Sequence, residues 1–134
     1  MNEYLVDKSV WVEFFRGEKS IIKKRLENLL DENRAVVSGI ILAELLTAIA
    51  NEKDQRFLEE CFLGLPYLEA TREIFATAGK MGATLHKKGI TLPISDLLIV
   101  ALAKTHALTV LTLDNHFQTL ARPLGVQVEL LKGF

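Results

Sequence analysis

Short apolar runs and longer amphipathic stretches alternate along this chain. Residues 3 to 6 form a run too short for a helix and read as a buried strand, followed by a short helix from Ser9 to Phe15 that stops at Gly17. A second helix covers roughly residues 19 to 31, where Ile21, Ile22, Leu26, Leu29 and Leu30 recur at helical spacing and leave Lys23, Lys24, Glu27 and Asn28 toward water. Ala35 to Val37 reads as a strand, with Ser38 placed to cap a helix that continues to about Asn51. The charged segment Glu52 to Gln55 separates it from another helix ending near Gly64. Leu65 to Leu68 reads as a short strand, and Thr71 to Lys88 as a long helix with Gly89 as its stop. Gly79 and Gly82 weaken its middle by about 1 kcal/mol each relative to alanine. After Pro93 a helix from about 95 to 106 is apolar on every side from Leu97 to Ala103, which predicts burial. Thr109 to Leu113 is a strand, Asn115 to Ala121 a short helix, and Val126 to Leu130 a last strand after the Gly125 turn. Such alternation predicts an α/β fold in which a parallel sheet is covered on both faces.

Charge interrupts this pattern in four informative places. Asp7 and Asp114 close strand-like runs, while Glu44 and Asp96 lie in or against strongly apolar helical runs. Each has an ordinary explanation. Asp7 and Asp114 fit helix caps, Glu44 falls on a polar stripe with Thr47 and Asn51, and Asp96 suits the positive end of its helix. Acids at the carboxyl ends of parallel strands, however, project to the edge where open sheets bind ligands. Two carboxylates about 4 Å apart repel by about 4 kcal/mol at an effective dielectric near 20, a large part of a small domain's stability. A proton or a hard divalent cation relieves that repulsion. With oxygen donors and no sulfur ligand set, the expected ion is Mg²⁺ or Mn²⁺, and the chemistry it suits is phosphodiester hydrolysis by activated water.

Composition narrows the alternatives. The 134 residues predict one domain, spanning 1–134, and 49% of them are apolar, which argues against disorder. No apolar run approaches the roughly 20 residues needed to cross a bilayer, and the N-terminal stretch does not read as a secretory signal. A cytoplasmic protein without membrane association is the expectation. Cys61, the single cysteine, excludes an internal disulfide and, beside Phe62, is expected to be buried. A net charge of −1 means that any nucleic-acid affinity is local. The basic residues concentrate from Arg16 through Lys19, Lys23 and Lys24 to Arg25, with Lys87 and Lys88 as a second group, and read either as a solvated face or as a phosphate-contacting rim. Phe57, Leu58, Phe62 and Tyr67 read as core, with self-association as the alternative.

Four segments together resemble the PIN-domain family and, more narrowly, VapC-type toxins of toxin–antitoxin pairs: Tyr4-Leu5-Val6-Asp7-Lys8-Ser9-Val10-Trp11, Ala43-Glu44-Leu45, Ser95-Asp96-Leu97-Leu98-Ile99-Val100-Ala101 and Leu111-Thr112-Leu113-Asp114-Asn115-His116-Phe117. The resemblance spans essentially the whole chain. It implies a three-layer sandwich with a mostly parallel sheet of about five strands, and an endoribonuclease that leaves a 5′-phosphate. It places the catalytic quartet on Asp7, Glu44, Asp96 and Asp114, with Asp7, Asp96 and Asp114 holding Mg²⁺ or Mn²⁺ and Ser9 and Thr112 orienting them. The implied partners are RNA, a cognate antitoxin reaching into the acidic groove, and a second copy in a homodimer. Lys8 stands where relatives usually carry a small residue, and His116 where many carry another acid. Both, with Arg16, are candidates for substrate contact. The competing reading, motivated by Lys8 beside Asp7, is a catalytically weak PIN-like module that binds RNA or protein without cutting it.

Overall fold

The computed structural model describes residues 2–16 and 21–132. The expected helix stop at Gly17, the start of the second helix at 19 and Lys19 lie outside the described residues. Twelve elements follow in order: β1 (Tyr4–Val6), α1 (Lys8–Phe15), α2 (Ile21–Asp31), β2 (Ala35–Ser38), α3 (Gly39–Ala48), α4 (Glu52–Leu63), β3 (Tyr67–Leu68), α5 (Arg72–Lys87), α6 (Ile94–Thr105), β4 (Thr109–Thr112), α7 (Asn115–Leu124) and β5 (Gln127–Leu130). The strands form one sheet in the order β3-β2-β1-β4-β5, and every pairing is parallel. From β1 the chain steps outward to β2 and β3, then crosses back to β4 and β5 on the other side. Right-handed crossovers in opposite directions put helices on both faces, giving the three layers expected.

The sheet's middle is buried because its residues are apolar on both sides. Leu5, Val6, Ala35, Val37, Val110 and Leu111 are wholly enclosed. All seven residues from Leu97 to Ala103 in α6 are buried as well. Helix α5 runs unbroken through Gly79 and Gly82, and packing explains the second glycine. A Cβ at Gly82 would come within 2.9 Å of Leu97 Cδ1, so the missing side chain admits α6 against α5.

Three boundaries differ from those read in the sequence. The charged segment after Asn51 is not a separator but the first turn of α4, and Asn51 Oδ1 accepts from the backbone N–H groups of Lys53 (2.8 Å) and Asp54 (3.3 Å). Acids near a helix N-terminus are stabilised there. Helix α3 accordingly ends at Ala48. Helix α7 continues through Pro123 before Gly125, at φ +70°, turns the chain and Val126 N–H reaches back to the Ala121 carbonyl at 3.0 Å. Cys61 is half-buried rather than enclosed, and the four apolar residues around it divide: Leu58 and Phe62 are core, whereas Phe57 and Tyr67 are exposed.

The edge strand β5 is tied to α2 by a two-pronged ion pair, Arg25 Nε to Glu129 Oε2 at 2.9 Å and Arg25 Nη2 to Glu129 Oε1 at 3.0 Å. The Arg25 guanidinium also lies 5.0 Å from the centre of the Tyr4 ring, with Arg34 at 5.4 Å. Hydrogen bonds from Arg25 hold the Glu129 pKa below its ordinary value, against the opposing effect of burial. A lowered carboxylate pKa adds stability above the unfolded-state value, and that increment is lost as pH falls through the folded-state value. Glu129→Gln is therefore expected to cost about 1 kcal/mol at neutral pH, and the gap between variant and parent in urea unfolding should close on acidification.

Candidate active site

Parallel strands deliver their carboxyl ends to one edge, and the chain's reversal of direction on either side of β1 opens a crevice there. Asp7 stands at this switch point. It occupies the N-cap position of α1, but its carboxylate makes no capping bond. Oδ2 instead accepts from Ser9 Oγ and from Thr112 Oγ1, each at 2.8 Å. These hydroxyls accept in turn: Ser9 Oγ from the Leu113 N–H and Thr112 Oγ1 from the Asp114 N–H, both at 3.0 Å. Each hydroxyl thus spends its proton on the acid and a lone pair on the backbone after β4. The relay fixes Asp7, which is 7% exposed, against the segment that carries Asp114.

Asp96 and Asp114 meet through His116. The imidazole Nε2 lies 2.9 Å from Asp96 Oδ2 and Nδ1 lies 2.6 Å from Asp114 Oδ1. Asp96 comes from the first turn of α6, so a loop end and a helix start are joined by one ring. Burial alone would lower the His116 pKa, but the hydrogen bond with Asp96 and the charges of Asp114 and Asp96 outweigh it and raise the value. Asp96 is the more enclosed partner, with its side chain 17% exposed against 44% for Asp114.

Glu44 completes the group from α3. Burial raises its pKa; the charge of Lys8 and a hydrogen bond with Ser95 oppose this, the charges of Asp7 and Asp96 reinforce it, and the net direction is upward. Of the polar stripe read in the sequence, Thr47 stays on the exposed face of α3, whereas Asn51 lies beyond the helix and caps α4. Asp7, Glu44, Asp96 and Asp114 therefore lie on one edge, linked through Thr112, His116 and mutual charge, with Ser9 and Lys8 beside them.

The donor chemistry fits a hard divalent cation, for which carboxylate oxygens are the preferred ligands. Among the described residues, no three His, Cys, Asp or Glu side chains converge on one point as they stand. Asp96 and Asp114 both aim at the His116 ring, whose side chain is 40% exposed and stacks on Phe117.

Arg16 is not brought to the acids. It sits just beyond α1, at the opposite end from Lys8, pairs with Glu13 at 3.3 Å, and lines a cavity with Val12, Phe15, Ile49 and Asp54. Nor do the described basic residues make a continuous rim, because Arg25 is committed to Glu129. Ser95 has no role in the sequence reading beyond its place in the motif, yet its hydroxyl is close enough to Glu44 to lower that acid's pKa. Its position just before Asp96, opening α6, is the signal that could have found it.

The PIN-domain family model matches residues 4–123. The chain belongs to the PIN-domain family. It is 32% identical over 127 residues to the VapC ribonuclease Mb1587 of Mycobacterium bovis, covering 92% of this chain and 95% of that one. Among solved structures, the fold resembles a chain in DNA-bound VapBC from Salmonella typhimurium, with a TM-score of 0.78, 23% identity and coverage of 96% and 98%. It also resembles a chain of VapBC-5, a toxin–antitoxin system from Mycobacterium tuberculosis, with a TM-score of 0.67, 22% identity and coverage of 98% and 100%. This PIN domain thus carries the family's fold.

Proposed function

We propose that this PIN-domain protein is a VapC-type endoribonuclease toxin that hydrolyses RNA phosphodiesters with Mg²⁺ or Mn²⁺ and is inhibited by a cognate antitoxin. The observation that carries this reading is the gathering of Asp7, Glu44, Asp96 and Asp114 on one sheet edge, with Asp7 locked by two hydroxyls. The 32% identical relative named as a ribonuclease supports the activity, and the relatives solved in toxin–antitoxin systems support the partner.

Asp7, Asp96 and Asp114 would hold the ion, which when bound supplies an activated water and neutralises charge on the scissile phosphate. Ser9 and Thr112 keep the Asp7 carboxylate from rotating, so its position is set before substrate arrives. Glu44 would complete the charge cluster and position a water bound to the ion. Lys8, whose positive charge is felt at Glu44, is placed to meet a phosphate entering over the edge. His116 bridges Asp96 and Asp114, and against the opposing effect of burial the two carboxylates raise its pKa. Arg16 serves at most the outer footprint of an RNA. Self-association as a homodimer belongs to the same proposal, supported by exposed Leu63 and Tyr67, which share a shallow apolar recess with Leu42 and Phe62 beside the β3 edge.

The test is incubation of an RNA panel with the purified protein and Mg²⁺ or Mn²⁺, with and without chelator. Cleavage that EDTA abolishes and added Mn²⁺ restores is the expected result; cleavage indifferent to EDTA overturns the metal-dependent reading. A binding-only module, the alternative suggested by Lys8 beside the acids, predicts RNA retention without cleavage under every metal condition.

A further inference from the structure

Asp7 has a neighbour on its other side. The pairings Leu5 with Val36 and Val6 with Leu111, continued along the strands, set Ser38, Asp7 and Thr112 in one row across β2, β1 and β4. Asp7 and Ser38 both keep extended backbone angles, φ −67° with ψ 155° and φ −143° with ψ 162°, so the alternation of faces persists to the strand ends. The Thr112 to Asp7 hydrogen bond shows that this row faces the site.

Ser38 is 1% exposed, and its Oγ has no hydrogen-bond partner. It stands at the N-cap of α3 but does not cap it, contrary to the sequence expectation. A buried hydroxyl without a partner costs about 1–3 kcal/mol relative to a satisfied one. Its retention beside an acid, in the row that already supplies one hydroxyl to that acid, has a purpose if a ligand completes it. Asp7 uses Oδ2 for both of its hydroxyl donors, so Oδ1 is the oxygen left for the ion.

We propose that Ser38 is a positioning residue of this site, whose hydroxyl grips a water in the hydration shell of the divalent cation beside Asp7. Ser9 and Thr112 orient the carboxylate; Ser38 orients what the carboxylate binds. The inference rests on the metal-dependent reading above and deepens it.

Calorimetric titration of Mn²⁺ into the parent, Ser38→Ala and Ser38→Thr, together with thermal melting of each without metal, separates the possibilities. Expected are an Ala variant that melts at or above the parent temperature yet binds Mn²⁺ about 10-fold more weakly, the low end for loss of an outer-sphere partner, and a Thr variant that recovers affinity. An Ala variant that melts lower, or fails to fold, with Thr restoring stability, marks Ser38 as a structural cap and overturns the proposal. Unchanged Mn²⁺ affinity in a well-folded Ala variant overturns it equally. Absence of Mn²⁺ binding in the parent defeats the metal-dependent reading itself, and this inference with it.

Discussion

Replacing Asp7 with asparagine should reduce RNA cleavage by about 100-fold or more while leaving the protein folded. Outer-sphere groups of metal sites already cost about 10- to 100-fold when removed, so an acid expected to bind the ion directly sets a larger minimum. Folding is spared for a local reason. The amide that replaces the carboxylate keeps an oxygen able to accept from Ser9 and Thr112, and the substitution removes one negative charge from a crowded edge. The measurement is initial cleavage rate at saturating Mn²⁺ beside a urea unfolding curve. Cleavage at parental rate by D7N would remove Asp7 from the machinery.

The second large effect belongs to Trp11. Its ring, 1% exposed, lies 5.1 Å from Phe62 and 6.0 Å from Phe15 between centroids, so α1 and α4 are packed about one side chain. Trp11→Ala should cost about 3–5 kcal/mol in urea unfolding, the usual range for emptying a large aromatic site. Trp11→Phe should cost much less, because the indole Nε1 is buried without a partner and phenylalanine removes that orphan donor along with part of the volume. Equal losses for the two variants would mean that the indole N–H matters more than the packing. Since α1 also carries Ser9, the Ala variant should lose cleavage through misplacement of Asp7 as well as through unfolding.

The strand ends were legible in the sequence because parallel strands buried on both faces leave a plain signature: a few consecutive apolar residues, then an acid. Tyr4 to Asp7 and Val110 to Asp114 read correctly on that basis, and the all-apolar stretch of α6 announced its own burial. The start of α4 was not legible, since the five polar residues after Asn51 look the same in a loop as in a capped first turn. The links among the acids were hidden for a different reason. His116 lies two residues from one acid and twenty from the other, and only folding turns that spacing into a bridge. Ser38 was read as a cap because its backbone position is a cap; the idle hydroxyl shows only in three dimensions.

The strand order has a consequence for when activity can appear during synthesis. Strand β1 occupies the centre of the sheet, but the neighbour that locks Asp7 is β4, over a hundred residues downstream. A ribosome-held chain that has not yet exposed Thr112 and Asp114 has a loose Asp7 and an unfinished acid cluster. The connectivity thus delays assembly of the acid cluster until the chain as far as Asp114 has emerged and β4 can pair with β1.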